Sequence, residues 1–208
     1  MDNNKKQAKE ILKRLQREYP EAGTMLHFDT PFELLVAVVL SAQSTDAQVN
    51  RVTTGLFAHY RTPEQIAVMD LAELEAYIRG VGLYKVKAGN LQKLSRMLLD
   101  QYGGEVPADF DALLKLPGVG RKTANVMMAV GFNQPGLGVD THVQRVTNRL
   151  GLVNESHPDK TELALKAIIP RTLWSKSHHL FIFHGRRVCT ARKPDCAHCV
   201  LEDLCPKI

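Results

Sequence analysis

Leu116-Pro117-Gly118-Val119-Gly120-Arg121-Lys122-Thr123-Ala124 is the stretch on which the reading of this chain turns. Pro117 fixes its own φ and drives Leu116 out of helical geometry, while Gly118 and Gly120 can adopt positive φ and put no Cβ in the way of a partner. The chain must break here. Beyond the break, Ala124, Val126, Met127, Met128 and Val130 recur at helical spacing, so the glycine turn feeds a helix over 121–131. A helix start presents N–H groups that its own turns leave without partners, and so it attracts anions. No acidic residue lies between Asp111 and Asp140, whereas Lys115, Arg121 and Lys122 are basic, and the local field also favours phosphate. Asp140 follows Lys122 by 18 residues, in Gly138-Val139-Asp140-Thr141-His142. Together these residues suggest a phosphate-gripping turn, an amine nucleophile and a carboxylate.

On either side of this stretch the pattern is helical. Thr30-Pro31-Phe32-Glu33, Thr62-Pro63-Glu64-Gln65 and Asp70-Leu71-Ala72-Glu73 each set a capping side chain three residues before Glu or Gln, twice with proline at the first helical position. Glycine stops follow at Gly80, Gly103-Gly104 and Gly151. Helices are expected over 5–19, 31–41, 46–60, 64–69, 71–79, 84–102, 109–115, 121–131, 141–150, 158–169 and 175–185, and no segment alternates as a strand. The 31–41 helix is apolar nearly all round and belongs in the centre of a bundle. The fold class is therefore all-α.

The four cysteines, Cys189, Cys196, Cys199 and Cys205, all fall in the last 20 residues. The charged start, Met1-Asp2-Asn3-Asn4-Lys5-Lys6, does not read as a signal peptide, which points to a reducing compartment and to a metal rather than disulfides. The order C-x6-C-x2-C-x5-C leaves zinc and a 4Fe–4S cluster both open. Arg186, Arg187, Arg192 and Lys193 surround the first cysteine with no acid between His184 and Pro194, which suggests a second phosphate grip on a metal-tied loop. His178, His179 and His184 lie near the thiols but read as packing residues, since four thiols already complete a site.

With 208 residues, 44% of them hydrophobic, the chain can bury a real core, as one large domain or two small ones. A net charge of +5 suits a polyanionic partner. The longest apolar run, Leu34 to Leu40, is far too short to span a membrane, and no repeat or low-complexity tract is present.

The segment from Leu113 to Val130 resembles a helix-hairpin-helix motif followed by a Gly/Pro-rich loop and an aspartate, the signature of one DNA glycosylase superfamily. Leu-Pro-Gly-Val-Gly-Arg-Lys is similar to the endonuclease III branch, and the cysteine order resembles that branch's cluster loop, which selects a 4Fe–4S cluster held by Cys189, Cys196, Cys199 and Cys205. The resemblance covers almost the whole chain. It implies two helical domains flanking a DNA-binding groove: a six-helix domain over 24–134, and a cluster domain made from 1–23 and 135–208. It also implies a DNA glycosylase and abasic-site lyase acting on oxidised pyrimidines, with Lys122 and Asp140 catalytic. DNA contacts would come from Gly118, Gly120, Arg121, Arg192 and Lys193. Within Leu40-Ser41-Ala42-Gln43, Gln43 would fill the space left by a flipped nucleotide; within Val81-Gly82-Leu83-Tyr84, Leu83 would wedge into the opposite strand. Ser41 and His142 would line the lesion pocket. The expected partner is double-stranded DNA with a damaged base or abasic site, met by a monomer in the cytoplasm, with no membrane role. Two rivals are an adenine-mispair glycosylase, which generally lacks the hairpin lysine and carries a further recognition domain, and a non-catalytic hairpin module that only binds DNA.

Overall fold

A computed structural model of the protein describes residues 2–206. Among the described residues eleven α-helices, one π turn and three short 3-10 turns account for the regular structure, and there is no strand. The chain divides into two compact units, one of residues 25–133 and one of residues up to Thr24 with those from Gln134 onward. Positions 1, 207 and 208, the outermost of the expected cluster domain, lie outside the described residues.

The continuous unit is built round α2 (Pro31–Leu40). Every residue from Phe32 to Leu40 is buried, as an all-round apolar helix requires. Around it stand α3 (Asp46–Phe57), α4 (Pro63–Val68), α5 (Leu71–Ile78), α6 (Tyr84–Tyr102), α7 (Phe110–Lys115) and α8 (Arg121–Val126). Thr30, Thr62 and Asp70 cap their helices through the side chain, as their spacing from Glu33, Gln65 and Glu73 predicts. Glu33, only 1% exposed, accepts from the Asp29 N–H and from Arg61 Nε, each at 2.6 Å. The one acid on the central helix is thus fully engaged.

One expected helix is not regular. The 121–131 run is α-helical to Val126 and then widens into a π turn, Met127–Gly131, in which the Phe132 N–H reaches back to Met127 O at 3.2 Å. Successive Met127 and Met128 are both buried, and Gly131 is packed so closely that a Cβ would come 3.2 Å from Leu34 and Met127. The glycine stops are also mixed: Gly103, Gly104 and Gly151 are left-handed, Gly80 is not.

The discontinuous unit packs α1 (Asp2–Glu18), α9 (Thr141–Arg149), α10 (Pro158–Ile168) and α11 (Trp174–Arg187) on a second core of Ile11, Leu15, Val143, Val146, Leu165 and Phe181. Gly185 lets α11 approach α9, since a Cβ there would lie 3.1 Å from His142 and Val146. Arg14 binds Asp203 at 2.6 and 3.1 Å and Val200 O at 3.2 Å, so α1 is tied to the C-terminal loop by more than apolar packing.

Candidate active site and cluster centre

Gly118 adopts φ +81, and a Cβ there would approach Asn90 to 3.0 Å, so this position needs glycine for both reasons. Gly120 differs from the expectation of positive φ. It is extended, with φ −101 and ψ 179, and nothing lies within 4 Å of where its Cβ would be. Its bare Cα leaves open space at the N-cap of α8, and no side chain caps that end. Arg121 and Lys122 follow as the first two residues of the helix, both half-buried, with the Arg121 guanidinium 5.2 Å from the centre of the Phe110 ring.

Asp140 is the N-cap of α9. Its Oδ1 accepts from the N–H groups of both His142 and Val143 at 2.8 Å, which leaves Oδ2 outside the cap. His142 meets Arg145 Nη2 through its Nδ1 at 3.2 Å. Ser41, the C-cap of α2, spends its hydroxyl proton on Val38 O at 2.7 Å.

Gln43 and Leu83 share an unusual backbone. Both are left-handed, at φ 54 and 57, and both are exposed, Leu83 to 57%. For a leucine this conformation is strained. The structure therefore presents an apolar side chain to solvent from a backbone held under strain, at the N-cap of α6.

In the discontinuous unit, Cys189, Cys196, Cys199 and Cys205 line one cavity of about 220 Å³ with His184 and Arg149. Four thiols set round a volume of this size could hold the irons of a 4Fe–4S cluster. Burial pushes the Cys199 thiol up, and Cys189, Cys205 and Cys196 push the same way, so bound iron would supply the positive charge that four thiolates need. His184, buried and held neutral with its pKa lowered to about 4, bridges Tyr19 OH at 3.2 Å and Cys199 Sγ at 3.6 Å.

Two arginines that the sequence does not single out brace this loop. Arg149 Nη1 donates to Thr190 O at 2.8 Å and Nη2 to Ala191 O at 2.9 Å, while Arg145 Nη2 reaches Gly185 O at 2.9 Å and Cys189 O at 3.1 Å. Arg192 and Lys193 stand exposed just beyond. One helix, α9, thus carries the capping carboxylate at its start and the braces of the basic loop further along. The i, i+4 spacing of Arg145 and Arg149 was their only sequence signal, and it is common to many surface helices.

An all-helical chain with a glycine hairpin before a lysine and a four-thiol pocket defines a class. Residues 36–171 match the model of the HhH-GPD superfamily of base excision DNA repair proteins, and residues 189–205 that of the iron–sulfur binding domain of endonuclease III. The chain belongs to that superfamily, in its endonuclease III family. It is 49% identical to endonuclease III of Bacillus subtilis (strain 168) over 97% of this chain and 93% of that protein. Identity to the endonuclease III of Escherichia coli (strain K12) is 45%, over 97% and 96%. A solved structure of a trapped covalent intermediate between endonuclease III and DNA, an estranged-adenine complex, superposes with a TM-score of 0.94 at 50% identity, covering 98% of this chain and 96% of that one. The chain is a DNA glycosylase and abasic-site lyase with a 4Fe–4S cluster.

Proposed function

We propose that this enzyme removes oxidised pyrimidines from double-stranded DNA through a Schiff base on Lys122 and then cuts the strand 3′ to the abasic site. The observation that carries the reading is the placement of Lys122 as the second residue of a helix entered through Gly118 and Gly120, where open backbone can meet a phosphate. The capture of a relative in a covalent complex with DNA supports covalent chemistry. The Lys122 amine attacks the anomeric carbon, and the electrons of the broken N-glycosidic bond leave with the base, which takes up a proton. Ring opening and loss of the amine proton give the Schiff base. Removal of a proton from the neighbouring carbon then expels the 3′ phosphate, and water frees the lysine. Asp140, with Oδ2 outside its cap, stabilises positive charge on the sugar or accepts the amine proton.

The remaining residues bind. Gly118, Gly120 and Arg121 grip the backbone at the hairpin, Arg192 and Lys193 grip it from the cluster loop, Gln43 and Leu83 enter the duplex, and Ser41 and His142 border the lesion. The exposure and left-handed backbone of Gln43 and Leu83 support their part. We take the enzyme to be a monomer, and its clustered thiols and DNA substrate favour the cytoplasm.

Borohydride should trap a covalent adduct on a thymine-glycol duplex. Lys122→Gln should abolish the adduct while duplex binding persists. Asp140→Asn keeps a capping side chain, so melting should move little while base release slows by about 100-fold or more. An undiminished trap in Lys122→Gln would remove the lysine from this role.

A further inference from the structure

Lys87 has no part in the chemistry described so far, yet its side chain is almost wholly buried, at 4% exposure. It lies one turn into α6, where its backbone N–H donates to Leu83 O at 3.0 Å. Its Nζ donates to Leu40 O at 2.8 Å, to Ala42 O at 2.6 Å and to Ser44 Oγ at 3.3 Å. Ser44 Oγ in turn accepts the Gly82 N–H at 3.0 Å. No carboxylate is among these partners, and burial lowers the lysine's pKa. The ammonium instead faces the carbonyl end of α2, where the helix dipole favours a cation.

Taking a lysine out of water without a counter-charge is unfavourable, and a methionine would fill much the same volume. What a methionine lacks is a nitrogen that holds two backbone carbonyls and the Ser44 hydroxyl at once. The pieces joined here are the last turn of α2, the loop that carries Gln43, and the start of α6 that carries Leu83. The two loops are already close, for a Cβ on Gly82 would lie 3.1 Å from Gln43 O. Left-handed non-glycine residues persist only where their surroundings hold them.

We propose that Lys87 is a positioning residue, a strut that fixes Gln43 and Leu83 relative to each other so that both enter a duplex as one preformed unit. The inference rests on the reading of those two residues as duplex probes. Without the strut the loops relax toward ordinary backbone, and the probes lose their common register. Extrusion suffers first, because it needs both side chains at one base step; attack on an already exposed sugar does not.

The test uses the full-length, cluster-loaded enzyme on two duplexes, one with thymine glycol paired with adenine and one with a preformed abasic site. Lys87→Met should slow single-turnover base release from the first by about 10- to 100-fold while borohydride trapping on the second changes by less than about twofold. A 2-aminopurine beside the lesion should show slowed unstacking in the same variant. Gln43→Ala and Leu83→Ala are run in parallel. If they lose equally on both duplexes, the probe reading fails and the strut falls with it. If they keep the bias while Lys87→Met does not, the strut alone is overturned. Should Lys87→Met not fold, Ser44→Ala removes the hydroxyl that links Lys87 Nζ to the Gly82 N–H, leaves the Leu40 and Ala42 carbonyl contacts in place and should show the same bias; equal or absent loss there overturns the proposal.

Discussion

Gly118 and Gly120 sit two residues apart in the hairpin and answer to different constraints. At Gly118 both the left-handed φ and the 3.0 Å approach of Asn90 act against any side chain, so Gly118→Ala should lower stability by about 1–3 kcal/mol. At Gly120 the backbone is extended and the Cβ position is empty, so Gly120→Ala should fold as well as the parent. Its effect belongs to binding: an added methyl stands where a phosphate would approach, and affinity for abasic-site duplex should fall. Thermal melting and duplex titration of the pair separate the two roles. A Gly120→Ala variant that melts early, or one that binds DNA like the parent, would contradict this division. The two glycines read alike in the sequence, because the difference lies in the sign of φ and in the neighbour Asn90, 28 residues before Gly118.

Helix starts were legible wherever the signal was local. Thr30, Thr62 and Asp70 cap through atoms only two or three residues distant, and the structure follows their pattern. The π turn at Met127–Gly131 was not legible, since it answers to packing against Leu34, far back in the chain. The same distinction runs through the candidate site. Lys122, Asp140 and the cysteines stand in motifs, whereas Lys87, Arg145, Arg149 and His184 act through contacts that no local spacing encodes. On the cluster loop, Arg145 and Arg149 take up main-chain carbonyls and leave Arg192 and Lys193 as the exposed charges. Each exposed cation that meets a phosphate displaces a counterion. Replacing Arg192 and Lys193 with alanine should therefore reduce the slope of log affinity against log salt by up to about 1.8, on damaged and undamaged duplex alike. A slope equal to the parent's would place the loop away from the backbone.

At the scale of the whole molecule, two separate cores decide what the cluster can hold together. One is formed by residues between Phe32 and Met128; the other draws Ala8 to Ala22 onto Leu137 to Leu201. Only the second contains the cysteine loop, whose stretch from Cys189 to Cys205 has no element longer than a 3-10 turn. Such a loop has little backbone bonding of its own, so closure by metal is a large part of its order. As purified the protein should be yellow-brown and contain iron and labile sulfide; colourless protein with one zinc would refute the cluster in this chain. Removal of the iron by a chelator under reducing conditions should then be read by hydrogen exchange. Amides of residues 189–205 should lose protection at once, and those at the end of α11 should follow, since Val188 and Cys189 both donate to His184 O at 2.9 Å. Amides of α2 and α6 should keep theirs, because their core includes no cysteine and no residue of the loop. Affinity for DNA should drop while these helices stay protected. If α2 and α6 open as fast as the loop, the two cores melt as one cooperative unit and the cluster stabilises the whole chain instead of its own half.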